Sequence, residues 1–221
     1  MRMLARKLLV ALTFVVLTIP TWAQNDVHSI AKAVDHRYNH LQTLQAQFTE
    51  IYSGNGISRE ESGTLWLKRP GKMRWEYRQP REKLFVSDAR NAWFYVPGER
   101  QARKIPVKQL DDLRSPLGYL LGKTKLEKEF EGLSLAPDVT PLQPGDVVLR
   151  GVPKHFEGIS QILLEITPQR QISRIVVDQE DGSTTEYRFD KQAEDVGIAD
   201  QQFRFTPPAG VEVIEGEMGG N

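Results

Sequence analysis

The residues with the clearest potential for metal chemistry lie near the start of the chain. His36 and His40 have the four-residue spacing of two metal ligands on one face of a helix, and His28 lies about two turns earlier. These histidines fall on the polar face of the predicted helix, and no His-Glu-x-x-His pattern completes them. Asp111 and Asp112 form a second candidate, but adjacent side chains point apart and acidic residues are common at helix N-termini. We therefore predict neither a metal site nor a general acid–base pair.

The motifs that support covalent or cofactor chemistry are also missing from the sequence. The chain contains no cysteine, and it has no G-x-S-x-G elbow, phosphate-binding loop or dinucleotide glycine fingerprint. The remaining histidine, His155, is far from the other three in the sequence. We predict that the protein is not an enzyme and binds no cofactor.

An aromatic-rich segment, residues 62–96, organises the chain. Apolar and polar residues alternate along it, and Gly, Pro, Asp and Asn interrupt the alternation, which predicts an antiparallel meander. We expect one apolar face built from Leu65, Leu67, Met73, Trp75, Tyr77, Val86 and Phe94, joined by Phe48 from the preceding strand. By pattern alone, this face forms either a packed core or the wall of a cavity.

Two helices are predicted to cover this face. Asp26 can cap a helix that runs to about Gln45, and its apolar stripe includes Val27, Ile30, Val34 and Leu41. A second, short helix, residues 116–121, begins at a proline and ends before a glycine. Its apolar residues are Leu117, Leu120 and Leu121. So short and apolar a helix requires an apolar surface to pack against.

The second half of the chain returns to strands. We predict strands over residues 126–136, 146–151, 159–167, 171–178 and 183–189, and Asp181-Gly182 predicts a hairpin between the last two. The fold is therefore mainly β, with ten or eleven strands and two or three helices. No internal repeat or linker divides the chain.

The first residues are typical of a secretory signal peptide. Basic residues precede an uncharged apolar stretch that ends near Ala23, although a retained N-terminal anchor has a similar pattern. We expect cleavage after Ala23, leaving residues 24–221 as one soluble, exported domain.

The formal net charge is zero, but the charge is unevenly distributed. The segment from Lys68 to Lys108 holds twelve basic and four acidic residues. These side chains either lie on solvated outer faces of strands or form a surface that meets anionic headgroups or an acidic protein partner. Nucleic acid is not an expected partner of an exported protein with this charge.

Arg69 is a polar residue that the alternation places on the apolar side. It shares strand parity with Leu65 and Leu67, so its side chain points toward the apolar face near the end of the strand. A guanidinium in that position needs carbonyl or carboxylate partners. The C-terminal ends of the covering helices offer carbonyls, and the sequence does not determine which helix supplies them.

The ordered motifs of the chain resemble those of a known family. The sequence Ser62-Gly-Thr-Leu-Trp-Leu-Lys-Arg-Pro70 is followed by Met73-x-Trp75, Gln79-Pro80, Val86-Ser-Asp88 and Trp93-Phe-Tyr95-x-Pro97. Leu41-x-x-Leu-x-Ala46-x-Phe-Thr49 precedes them, and Phe203-x-Phe-Thr-Pro-Pro-x-Gly210-Val211 follows. Together these motifs are similar to the periplasmic outer-membrane lipoprotein carrier proteins, the LolA family, over essentially the whole mature chain.

This resemblance implies an incomplete, strongly curved antiparallel β-barrel of about eleven strands, covered by helices that form a lid over a hydrophobic cavity. It implies a periplasmic, monomeric chaperone that shields the acyl chains of lipoproteins. The implied partners are an inner-membrane ABC-type releasing complex and an outer-membrane receptor. By position, Arg69 resembles the family's lid-latching arginine and Trp75 a cavity aromatic. A binding module of the same fold for free lipid, glycolipid or an envelope-stress signal is the alternative.

Overall fold

The computed structural model describes residues 26–107, 119–120 and 125–216, and twelve strands dominate it. The elements are α1 (Val27–His40), β1 (Thr43–Gly54), β2 (Ile57–Lys68), β3 (Lys72–Gln79), β4 (Lys83–Asp88), β5 (Asn91–Tyr95), β6 (Gln101–Pro106), α2 (Leu126–Glu129), β7 (Phe130–Leu135), β8 (Val147–Pro153), β9 (Ile159–Ile166), β10 (Ile172–Gln179), β11 (Thr184–Glu194) and β12 (Glu212–Glu215). The predicted signal peptide, Leu117, Leu121 and the Asp111-Asp112 pair lie outside the described residues.

All twelve strands belong to one sheet, in the order β12-β6-β5-β4-β3-β2-β1-β11-β10-β9-β8-β7. Neighbouring strands are antiparallel except β12, which pairs in parallel with β6. In the described part of the chain the outer strands β7 and β12 do not pair with each other, so the sheet stays unclosed. Side chains from β1–β3 and from β7–β11 join one apolar cluster around α1, which requires the sheet to curve around the helix. The predicted curved, mainly β architecture is confirmed, with β12 as one strand more than expected.

Two tight turns connect strands that are neighbours in the sheet, and one of them is the predicted hairpin. Asn55 and Gly56 link β1 to β2 with φ angles of 52° and 74°, the left-handed conformation that a tight two-residue turn requires. Gly182, with φ 82°, lies in the predicted hairpin between β10 and β11. The first turn allows β1 and β2, which have twelve residues each, to pair along their whole length at the centre of the sheet.

The first helix is shorter than predicted. Asp26 caps it as expected, by accepting a hydrogen bond from the backbone N–H of His28, but the helix ends at His40 rather than near Gln45. The carboxylate of Asp195 accepts the backbone N–H of Gln42 at 2.7 Å, and β1 then pairs on both sides from its first residues. These sheet contacts outweigh the helical periodicity of the segment.

The predicted strand over residues 126–136 is also corrected, because its first four residues form α2. The backbone N–H of Leu126 donates to both carboxylate oxygens of Asp35, at 3.1 and 3.2 Å. Asp35 lies on α1, 91 residues away in sequence, so no local pattern could indicate this contact.

None of the helices in the described part of the chain is long and apolar enough to span a membrane.

The C-terminal segment covers the outer face of β3–β5. A short 3-10 helix, Asp200–Phe203, begins this segment and buries Phe203. The Phe205 ring lies 5.4 Å from the rings of both Trp93 and Tyr95, measured between centroids. Apolar burial therefore occurs on both faces of this part of the sheet.

Asp200 binds the same segment to the β2–β3 turn, which carries Arg69, through two ion pairs. Lys68 Nζ and Lys72 Nζ contact its two carboxylate oxygens at 2.7 and 2.8 Å. Hydrogen bonds from these two lysines lower the pKa of Asp200 to about 2. The lowered pKa stabilises the folded state above the ordinary carboxyl pKa of 3.8, and this contribution is lost as the pH falls toward 2.

We expect Asp200→Asn to lower the urea midpoint between pH 5 and 7, where the wild-type carboxylate is charged. The difference between the two proteins should shrink as the pH falls from 4 toward 2. Urea denaturation followed by tryptophan fluorescence at each pH measures it. A difference that does not change over this range would contradict the assigned ion pairs.

Candidate functional site

The inner face of the sheet is an apolar floor aligned by strand register. Leu65, Trp75, Phe85 and Phe94 lie directly opposite one another across β2, β3, β4 and β5. Leu67 of β2 and Met73 of β3 lie opposite each other on the same face, two residues further along these antiparallel strands. Phe48 of β1 lies opposite Gly63 of β2, and Gly63 in turn lies opposite Tyr77 of β3. Seven of the eight residues predicted for the apolar face therefore share one side of the sheet.

Val86 is the exception, and its predicted position is wrong. It lies opposite Arg74 and Trp93, so it belongs to the outer face of the sheet. It is fully buried there, and it does not join the apolar cluster of the inner face. The C-terminal segment covers the outer side of β4, so this strand carries apolar residues on both faces. The sequence of β4 therefore lacks the alternation of apolar and polar residues that would show which face is inside.

Aromatic rings fill the middle of the floor. Phe48 meets Trp75 at 4.6 Å and Tyr77 at 4.9 Å between ring centroids, both edge-to-face. Gly63, opposite Phe48, allows β2 to approach the backbone of β3 closely, because a Cβ atom there would lie 2.0 Å from the backbone oxygen of Glu76. Phe48 and Trp75 are almost fully buried. In this structure the floor residues are therefore packed against other side chains of the protein.

The helix α1 covers the floor through four buried residues, Ile30, Ala31, Val34 and Tyr38, with Val27 partly buried beside them. Leu41 is buried as predicted but follows the helix as its extended C-cap residue. Leu120, from the predicted second lid helix, is also buried in the cluster.

The side chain of Arg69 joins the sheet to the end of α1. Its guanidinium donates to the backbone carbonyls of Tyr38 and Asn39, the latter at 2.8 Å. Carbonyls of the last helical turn have no partner within the helix, so a charged donor satisfies two of them. Of the two helix ends left open by the sequence, the described contacts are with α1.

The opposite side of α1 is held by contacts that the sequence did not indicate. The guanidinium of Arg37 pairs with the carboxylate of Glu194 at 2.6 Å. The Tyr38 hydroxyl accepts the backbone N–H of Ile172 at 2.8 Å, and burial raises its pKa well above the ordinary value. His28, at the other end of the helix, contacts Glu127 of α2 at 2.9 Å. Thus α1 is bound to β10, β11 and α2 by several groups, and to the end of β2 by Arg69.

A small cleft lies beside Arg69. It opens to solvent, and Leu41, Leu44, Leu67 and Leu120 are among the residues that line it. Beyond this cleft, side chains of α1 and Leu120 pack against the floor. A long apolar ligand can therefore reach the floor only if α1 or the segment that contains Leu120 moves.

Polar groups mark the other end of the inner face, nearer the β1–β2 turn. Lys83 Nζ pairs with the buried carboxylate of Glu61 at 2.6 Å and lies 4.1 Å from the centre of the Tyr77 ring. The Tyr77 hydroxyl donates to Glu50 at 2.7 Å. Burial, reinforced by the Glu50 charge, raises the pKa of Tyr77 far above its ordinary value. The sequence analysis did not predict this polar end. The signal that could have indicated it is the presence of charged residues at strand positions that share the apolar face.

Seven of the twelve basic residues of this segment form ion pairs within the protein. Lys68, Lys72, Arg74, Arg78, Arg81, Lys83 and Lys104 each contact an acidic side chain. Several of these acids, including Glu61, Asp200 and Glu215, come from outside the segment. Three outside acids against an excess of eight positive charges (12 − 4) reduce this excess but leave the segment basic.

The described residues contain no candidate metal centre. Within them, no group of three or more histidine and acidic side chains is placed to hold a metal ion. The rings of His36 and His40 lie against each other at 4.3 Å on the exposed side of α1.

The fold and these contacts define a class of mainly β proteins in which a curved, unclosed sheet packs around a covering helix. A solved structure of this kind, an uncharacterized conserved protein from Thermus thermophilus, matches 84% of this chain and 96% of its own. Its TM-score is 0.56 and its identity 15%, so this likeness shows the fold alone.

The particular family follows from sequence comparison. The family model of the outer membrane lipoprotein carrier protein LolA matches residues 39–206. The outer-membrane lipoprotein carrier protein of Nitrosospira multiformis is 29% identical over 216 residues, covering 96% of this chain and 98% of that relative. The protein of the same name from Dechloromonas aromatica is 31% identical, with coverage of 83% and 88%. The chain belongs to the LolA outer-membrane lipoprotein carrier family.

Proposed function

We propose that this protein is a periplasmic chaperone that encloses the acyl chains of lipoproteins and carries them from the inner to the outer membrane. The observation that carries the proposal is the closure of α1 over an apolar, aromatic floor by the guanidinium of Arg69. Family membership supports it, because the named relatives are outer-membrane lipoprotein carrier proteins.

The energy of cargo binding follows from apolar burial. Each methylene group removed from water contributes about 0.8 kcal/mol, so even one long acyl chain can displace the contacts between α1 and the floor. The ligand site comprises Phe48, Leu65, Leu67, Met73, Trp75, Tyr77 and Phe94, and the flexible Met73 adapts to chains of different shape. The lid comprises α1 with the segment that contains Leu120.

Release requires competition, because the carrier itself supplies no chemical energy. When the chains leave, α1 returns to the floor and Arg69 regains its two carbonyls, so the free carrier is stabilised by contacts that the loaded carrier lacks. An acceptor with a better apolar site then draws the cargo away. The proposed donor is an inner-membrane ABC-type releasing complex, and the proposed acceptor is an outer-membrane lipoprotein receptor.

The proposed location is the periplasm, reached through a signal peptide over residues 1–23, and residues 24–221 then act as a monomer. The basic excess that remains over Lys68–Lys108 favours contact with anionic headgroups or an acidic protein partner.

Binding of acylated cargo tests this proposal. The purified mature protein should keep an acylated lipoprotein soluble at equimolar concentration, and the same lipoprotein without its acyl chains should not bind. Native mass spectrometry of the protein isolated from the periplasm should reveal lipoprotein as bound cargo. Detection of only free lipid or glycolipid, with no protection of acylated lipoprotein, would replace the proposal with a lipid-binding module.

A further inference from the structure

One hydroxyl in the apolar interior has no hydrogen-bond partner among the described residues. Tyr119 is 5% exposed, and its phenolic oxygen is buried without a partner in that part of the chain. The ring packs against Phe130, with centroids 5.1 Å apart, inside the cluster formed by α1 and the sheet. Burial, together with the nearby charge of Glu129, raises the pKa of the phenol well above its ordinary value. Tyr119 therefore holds an O–H donor in apolar surroundings.

Other buried tyrosines of this interior are satisfied. The Tyr38 hydroxyl accepts the backbone N–H of Ile172, and the Tyr77 hydroxyl donates to Glu50. Buried polar groups in folded proteins are nearly always paired, because an unpaired one loses its hydration without compensation. Tyr119 departs from this rule at a position where a phenylalanine would fill the same apolar space.

Tyr119 lies in the interior between α1 and the sheet rather than in the cleft beside Arg69, which its neighbour Leu120 lines. The Tyr119 ring contacts Phe130, at the start of β7, and belongs to the same apolar cluster as the floor residues Leu65 and Trp75. An acyl chain that displaces α1 and enters this interior places its polar atoms in the same apolar space as the unpaired hydroxyl.

We propose that the Tyr119 hydroxyl donates a hydrogen bond to the carbonyl oxygen that joins an acyl chain to its cargo. This inference rests on the proposed function, since it assumes that acyl chains occupy the floor. An apolar wall binds any hydrocarbon chain, whereas a buried donor prefers a chain that ends in an ester or amide carbonyl. A ligand without that carbonyl would leave the donor unpaired in the complex, and sites of this kind discriminate against such ligands.

The test compares two ligands and two variants. One ligand is a peptide that carries two palmitoyl chains as esters, and the other is the same peptide with hexadecyl chains joined as ethers. Wild-type protein should bind the ester peptide about two- to tenfold more tightly. Tyr119→Phe should lose this preference while binding the ether peptide as the wild type does.

Thermal unfolding of the unliganded protein gives the second readout. Because the hydroxyl is unpaired without cargo, Tyr119→Phe should not lower the unfolding temperature and should raise it by about 2–4 °C. The matched control Tyr38→Phe, which removes a paired hydroxyl, should lower it.

The outcomes separate the two proposals. If the wild type binds neither peptide, the proposed function fails and this inference fails with it. If the wild type binds both peptides but Tyr119→Phe keeps the ester preference, or weakens both ligands equally, only the assignment of Tyr119 is overturned.

Discussion

Arg69→Leu is expected to leave cargo loading intact and to slow hand-over by about tenfold or more. In the free protein the guanidinium bonds to the carbonyls of Tyr38 and Asn39 and so stabilises the closed position of α1. Hydrogen bonds to a charged group contribute about 1.5–3 kcal/mol each when buried, and less here because Arg69 is only half-buried. Without them the free carrier gains less from closing, so the loaded state becomes relatively more stable and the cargo leaves more slowly.

The measurement is the transfer rate of an acylated lipoprotein from loaded carrier to acceptor vesicles that contain the receptor. Arg74→Leu is the matched control, because Arg74 lies on the outer face and contacts Glu76 and the backbone oxygen of Gln202. It should transfer cargo at close to the wild-type rate. Normal hand-over by Arg69→Leu would remove the latch role.

Trp75→Ala is expected to lower the free energy of unfolding by about 3–5 kcal/mol, the usual cost of truncating a buried aromatic residue. Trp75 is 3% exposed. Its ring meets Phe48 edge-to-face and lies within 6.5 Å of the rings of Tyr187 and Phe189. These contacts link β3 to β1 and β11, so the cavity left by alanine would weaken the centre of the floor.

Urea denaturation at neutral pH measures this loss. Trp66→Ala is the matched control, because Trp66 lies on the outer face of β2, opposite Arg74, and is only partly buried. It should cost about 1–2 kcal/mol, in proportion to its smaller buried area. Equal losses in the two variants would show that the aromatic floor contributes no special stability.

The proposed function depends on a balance between these two sets of contacts. The floor must be apolar enough to hold acyl chains, and α1 must cover it well enough to keep the empty carrier soluble. Several groups hold α1 to β10, β11 and α2, including Arg37, Tyr38 and Asp35. At the end of β2 the contact is made by Arg69. We therefore expect the floor to open on the β2 side, with α1 remaining attached to β10 and β11.

Much of the fold was determined by the sequence alone, because its signals are local. The N-cap at Asp26, the turn at Asn55-Gly56 and the hairpin at Asp181-Gly182 each depend on residues within a few positions of one another. Period-two alternation correctly placed Leu65 and Trp75 on one face and turned Arg69 toward it. These features follow from backbone geometry, which nearby residues control.

Only the tertiary structure decided which distant groups meet. The contact of Arg69 with the end of α1 and the pairing of Arg37 with Glu194 join residues far apart in sequence. The Tyr119 hydroxyl is left without a partner among the described residues for the same reason, since its neighbours are set by the fold. Val86 shows the physical reason most clearly. Alternation tells which residues of a strand share a face, but in a strand that is apolar on both sides only pairing with its neighbours decides which face is inside. That pairing, and the carbonyls available to a buried donor, exist only once the sheet has folded around α1.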